Sequence, residues 1–309
     1  MRRSTWIAGS SPGNDVGGGD QATVSSSFTR ILSGPPPRLR TPAGTCDTHM
    51  HFYSRAYPAL PGTLNPPDAT VVDYAQVKDW LGIDRCIVVQ PNAYGDDNRA
   101  TMAGVKALGA SARAVVVVKP GVADAELDRL TKNGARGIRF MNLLGGTLTF
   151  AHMEEMAARV RPFGWSAIVQ LDGRTLPEHE AQLRRLPLDY VIDHCGKFLE
   201  PVAPDDAAFR TLLRLVESGR CWVKIAGAYE FSKSGAPAYA DVARLMTLLI
   251  KAAPERVVWG SNWPHALAEK VGYPDDAALL DLLLDWAPDE AVRRKILVDN
   301  PAQLYGFNL

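Results

Sequence analysis

From about residue 45 to its end, this chain repeats one pattern: a short apolar or β-branched run, then a longer segment of helical period. That alternation constrains the fold most, because strand–helix–strand repeats build a parallel sheet with helices packed on it. The first four runs, TCDTHMHF, RCIVVQ, RAVVVVK and RGIRFMN, begin near 45, 85, 113 and 136. SAIVQL, DYVIDH, CWVKIA and RVVWGS follow near 166, 189, 221 and 256. Intervening segments such as VDYAQVKDWLG, DAELDRLTKNG and DDAAFRTLLRLVESG end on glycine, which readily takes the left-handed conformation that closes a helix. Eight such units in about 265 residues match the usual size of a (β/α)8 barrel, whose active sites lie at the C-terminal ends of the strands. The competing doubly wound open sheet lacks support, since no glycine-rich phosphate loop follows an early strand.

We therefore expect one α/β domain, a single (β/α)8 TIM-type barrel over residues 41–309. Residues 1–40 precede it, rich in Gly, Ser and Pro and without periodicity, and read as a flexible or loosely draped tail. Arg2 and Arg3 suggest a twin-arginine export signal, but no apolar core follows them, so export is not expected. No run approaches the roughly 20 apolar residues that span a bilayer. With 34 basic and 34 acidic side chains the formal net charge is zero, which gives neither nucleic acid nor an anionic membrane a reason to bind. A small molecule is the expected partner, and oligomeric state is left open. Cys46, Cys86, Cys195 and Cys221 form no CxxC pair and read as reduced packing residues, which suits the cytoplasm.

Polar residues collect where the strands end, and buried polar groups are costly unless something pairs them. On strand one, Asp47, His49 and His51 alternate with period two, which predicts one shared face. Strand two ends at Gln90 and is followed by Asn92. Arg139 and Asn142 close strand four, and Gln170 and Asp172 close strand five. Strand six ends in Asp193 and His194, with Lys197 beyond. Lys224, Tyr229 and Glu230 follow along strand seven, and Asn262 and His265 along strand eight. Taken singly, each reads as a hydrogen-bonded polar residue; together they read as a site. His152 and His179 lie away from strand ends and read as surface residues.

The HxH of strand one, DHCGK on strand six, WVKIAGAYE on strand seven and VVWGSNWPH on strand eight resemble the amidohydrolase superfamily. YPALPG, PNAYGDDN, GIRFMNL and YPDDA extend the resemblance to the branch of 2-pyrone-4,6-dicarboxylate lactonases and D-galactarolactone isomerases. The resemblance covers about residues 45–309 and implies a barrel acting on small carboxylated lactones, often without a metal. The chain departs from the isomerase pattern in keeping His49, where that pattern has glutamine, and in placing Asn142 at an acidic position.

In metal-dependent members an aspartate ending strand eight binds the metal and takes a proton from the attacking water. Asn262 stands there, and an amide cannot act as a general base. The resemblance to the isomerases implies metal-independent isomerisation of an aldaro-1,5-lactone to the 1,4-lactone, in which the substrate supplies its own nucleophile, and Asn262 is compatible with it. His49, His51, His194, Lys224 and Asn262 are the expected catalytic residues. His194 or His51 would serve as acid and base, with Lys224, Asn262 and His49 donating to the oxyanion. Arg139 and Lys197 would clamp the carboxylate, and Gln90, Asn92, Asp172, Tyr229 and His265 would complete the substrate site. No cofactor is expected; zinc or manganese, if bound, would sit on His49, His51 and His194. Lactone hydrolysis is the nearest alternative, followed by a metal-dependent hydrolase or decarboxylase and by a non-catalytic binding barrel.

Overall fold

The computed structural model describes residues 30–64, 66–143, 145–268 and 272–308. Eight strands, β1 Cys46–Met50, β2 Arg85–Val89, β3 Ala112–Val116, β4 Ala135–Met141, β5 Ser166–Gln170, β6 Tyr190–Ile192, β7 Cys221–Ile225 and β8 Val257–Trp259, run parallel in sequential order. The ring closes through a parallel bridge between Met50 and Trp263, with Asn262 N–H donating to His49 O at 2.8 Å. Helices α1 Val71–Leu81, α2 Arg99–Leu108, α3 Asp124–Lys132, α4 Met153–Val160, α5 Leu176–Arg184, α6 Ala207–Glu217, α7 Ala240–Ala252 and α8 Asp276–Trp286 pack outside. The (β/α)8 expectation is met.

Local chemistry starts and stops these helices. Thr70 and Asp73 form a reciprocal capping box on α1, and Gly82 ends it in the left-handed conformation. On α6 the stripe Phe209, Leu212, Leu215 and Val216 turns inward onto the sheet. Among the described residues no helix is long and apolar enough to cross a membrane.

The barrel interior has two storeys. Cys46, Ile87, Val115, Ile168, Val191, Trp222 and Val258 pack with Tyr305 and Phe307 into one buried apolar cluster, which fills the lower end. Two residues beyond Ile168, Val191 and Trp222, on the same inward face, stand Gln170, Asp193 and Lys224, with Arg139 of β4 bonded to Gln170. The upper storey is polar.

Strand one departs from simple alternation. Its register against β2 shifts between Asp47 and Met50, so Asp47 turns outward, where it accepts hydrogen bonds from Tyr74 of α1 at 2.8 Å and from the Ser261 hydroxyl at 2.5 Å. His49 turns inward onto Asp193. The shared face expected for Asp47, His49 and His51 is thus corrected: the bulge splits them.

Of the segment read as a loose tail, residues 1–29 lie outside the described residues. Residues 30–40 lie on the barrel: Leu39 is buried, its N–H donates to Asp281 of α8, Arg38 pairs with the same carboxylate at 3.0 Å, and Trp80 Nε1–H donates to Pro35 O.

Candidate active site

A cavity of about 670 Å³ opens above the polar storey, walled by His51, Asn92, Arg139, Gln170, His194, Lys197, Glu230 and Asn262 and rimmed by residues 60–64. Six of these eight were singled out in the sequence as site residues; Glu230 and Gln170 were noted at strand ends.

Arg139 is held by two neutral acceptors, Nη1 donating to Gln90 O and Nη2 to Gln170 Oε1, both at 2.7 Å. Its buried Nε has no partner among the described residues. Neutral partners fix the guanidinium without cancelling its charge, which leaves a positive wall for an anionic group. Lys197, held in the left-handed conformation just after DHCG, differs: its ammonium meets Glu230 at 2.5 Å. Burial opposes the Glu230 charge, but Lys197, His194 and a hydrogen bond from Asn262 outweigh it and hold the carboxyl at about 2. Lys197 therefore brings its own counter-ion, and Arg139 is the cation left for substrate.

The histidines lie in a row leading inward. His51 Nδ1–H donates to Val89 O at 2.7 Å, and its Nε2 faces His49 Nε2 at 3.2 Å. On the far side His49 Nδ1 lies 3.1 Å from Asp193 Oδ1 and 3.2 Å from Lys224 Nζ, which itself stands 3.4 Å from Asp193. Burial pushes His51 down to about 3 and His49 and His194 below the usual imidazole value, so neutral rings are favoured. Burial also pulls Lys224 down, with Asp193 opposing it. His194 Nδ1 is buried without a partner, and Gly227 lies against it: a Cβ there would come within 2.9 Å of that nitrogen. Gly227 also sits at φ 61°, so glycine meets both demands.

Several expected contacts fall outside the cavity. His49 and Lys224 are wholly buried behind the wall and do not border it. Gln90 is spent on the fold, donating to Gly95 O and Asp97 O and accepting from Thr101. Asp172 caps the turn after β5, accepting from Arg174 N–H, and pairs with the Arg174 guanidinium. Tyr229 and His265 bond to each other behind Asn262. Asn262 itself cannot donate to an oxyanion, because both protons of Nδ2 are taken, by Tyr229 Oη and Glu230 Oε1, each at 2.8 Å. Conversely, Asp193 and Glu230 carry the site's negative charge without having been assigned a role; an acid directly after the apolar run YVI was the available signal. His152 and His179 are half-buried on the outer layer, His179 edge-on to Phe150.

His49, Asp193 and His194 each place a ligand atom within 4.8 Å of the others, the one such trio among the described residues. It contains Asp193 where the three-histidine expectation had His51.

The sequence profile of the Amidohydrolase family matches residues 46–307. The chain belongs to the amidohydrolase family. Within it, the chain is 40% identical to D-galactarolactone isomerase of Agrobacterium fabrum, over 91% of this chain and 97% of that one. It is 33% identical to 2-pyrone-4,6-dicarboxylate hydrolase of Comamonas testosteroni, over 87% and 92%. An Agrobacterium tumefaciens crystal structure superposes with a TM-score of 0.84 at 40% identity, covering 90% of this chain and 99% of that one. Membership makes this chain an enzyme of the amidohydrolase family, with lactone-processing enzymes as its relatives.

Proposed function

We propose that the protein isomerises a carboxylated sugar-acid lactone, an aldaro-1,5-lactone, to its 1,4-lactone without a metal. The observation that carries this is the pairing of an uncompensated Arg139 with Asn262 across one cavity: a carboxylate anchor opposite a group unable to activate water. Similarity to a lactone isomerase supports the same reading.

In this mechanism Arg139 holds the distal carboxylate. Asn92 and Gln170 read sugar hydroxyls. The C4 hydroxyl attacks the C1 carbonyl, and neutral His194, which borders the cavity, takes its proton. The tetrahedral oxyanion accepts a hydrogen bond from one of the Lys197 N–H groups not given to Glu230, Lys197 acting as a donor whose charge Glu230 already balances, and the C5 oxygen leaves with the proton carried by His194. No water is consumed, and proximity supplies much of the rate. His49, Asp193 and Lys224 act from behind the wall, fixing the ring of His51.

A dication does not fit this arrangement. His49 and Asp193, two of the three groups that would hold it, lie 3.2 and 3.4 Å from the Lys224 ammonium, whose like charge would repel it. Four buried free cysteines fit a reducing compartment such as the cytoplasm.

The test is proton NMR of a fresh aldaro-1,5-lactone with metal-stripped protein beside an enzyme-free control. Accelerated appearance of the 1,4-lactone is expected; direct formation of the open-chain diacid would assign a hydrolase instead. In the same assay Arg139→Ala should raise KM for the carboxylated lactone at least tenfold and leave an uncharged lactone nearly unaffected, as loss of a charge-assisted contact requires.

A further inference from the structure

Behind Asn262 runs a row of hydrogen bonds whose direction chemistry fixes. Asp276, at the start of α8, places Oδ1 3.0 Å from His265 Nε2. His265 Nδ1 lies 2.9 Å from Tyr229 Oη, and Tyr229 Oη lies 2.8 Å from Asn262 Nδ2. The same Nδ2 reaches Glu230 Oε1 at 2.8 Å. Carboxylates only accept. Asp276 thus accepts a hydrogen bond from His265 Nε2–H, which leaves Nδ1 of the neutral ring an acceptor. Glu230 requires a donor, so the Asn262 nitrogen, not its oxygen, faces Glu230 and Tyr229. Tyr229 then receives a proton from Asn262 and has one acceptor in the row for its own, His265 Nδ1. Asp276 and His265 are almost wholly buried, at 1% exposure each, so water does not compete for these bonds.

We propose that Asp276, His265 and Tyr229 are positioning residues that lock the Asn262 amide with its oxygen toward the cavity, so that this point of the site selects a substrate hydroxyl. A freely flipping amide would meet donor or acceptor alike; a locked one rejects any ligand lacking a donor there. The proposal rests on the lactone reading, in which the accepted group is a sugar hydroxyl other than the attacking one, whose single proton goes to His194.

Two measurements test it. In the full-length protein, 15N NMR of His265 should show the proton on Nε2 and a bare Nδ1; a proton on Nδ1, alone or in addition, overturns the chain. In turnover, Tyr229→Phe and the near-isosteric Asp276→Leu should each lower kcat about tenfold or more with KM changed less. Both should also erode, by a similar factor, the preference for the hydroxylated lactone over its methoxy analogue as competing ligand. Should Asp276→Leu fail to fold by circular dichroism, Tyr229→Phe decides. An unaltered preference in a folded variant overturns the proposal. If the wild-type protein turns over no lactone, the lactone reading fails by itself, and the His265 tautomer still decides the lock.

Discussion

At the scale of single residues, Glu230 is ionised where burial disfavours it. Its usual value is 4.5 and its neighbours hold it at about 2, a difference equivalent by linkage to roughly 3 kcal/mol of folding stability at neutral pH. A depressed carboxyl stabilises fully above its unfolded value, and the contribution disappears as pH falls through the folded one. Unfolding free energies measured between pH 5 and 2 should therefore fall more steeply for the wild-type protein than for Glu230→Gln. Equal slopes would mean that the Lys197 contact does not hold the charge. The sequence showed which residues were polar at strand ends, but not what each was already bonded to. Asp172 and Asp193 both end a strand; the first is consumed by Arg174 and a turn, the second by His49 and Lys224. Only coordinates separate a spent carboxylate from a working one.

Elements explain why the histidine pair faces inward. β1 reaches its histidines through a register shift, and β8 must come close to it for the barrel to close. Gly260 permits that approach: a Cβ there would lie 2.7 Å from His49 Cβ and 2.8 Å from His49 N. Gly260→Ala should cost about 1–3 kcal/mol through overpacking, visible as a fall in Tm of roughly 2–4 °C per kcal/mol. Turnover at 25 °C should suffer beyond that, since His49 is the atom set displaced; full activity with an unchanged Tm would show that the strand yields freely. Period-two alternation predicted the strands and their inward histidines, yet misplaced Asp47, because the bulge is a shift of β1 against β2, a partner distant in sequence, and leaves no local mark in TCDTHMHF.

For the whole molecule, eight apolar runs were enough to give the barrel, since each strand's period and length are written locally. The division between an apolar lower storey and a polar upper one was legible only as polar strand ends; that Trp222 and Lys224 share one inward face two residues apart is its physical form. Thermal unfolding provides a global check on whether a dication is resident. Zinc at a hundredfold its dissociation constant would add about 2.7 kcal/mol if it bound the native state alone. We expect neither added zinc nor chelator to move Tm, whereas a rise of several degrees with zinc would restore the metal reading. Lys224 gives that expectation a further meaning. A polyhydroxy carboxylate is itself a sequestering agent, able to pull a loosely held ion out of the enzyme that processes it. A charge fastened to the backbone by four methylenes cannot be extracted by the substrate, so such a catalyst keeps its electrostatics however concentrated its substrate becomes.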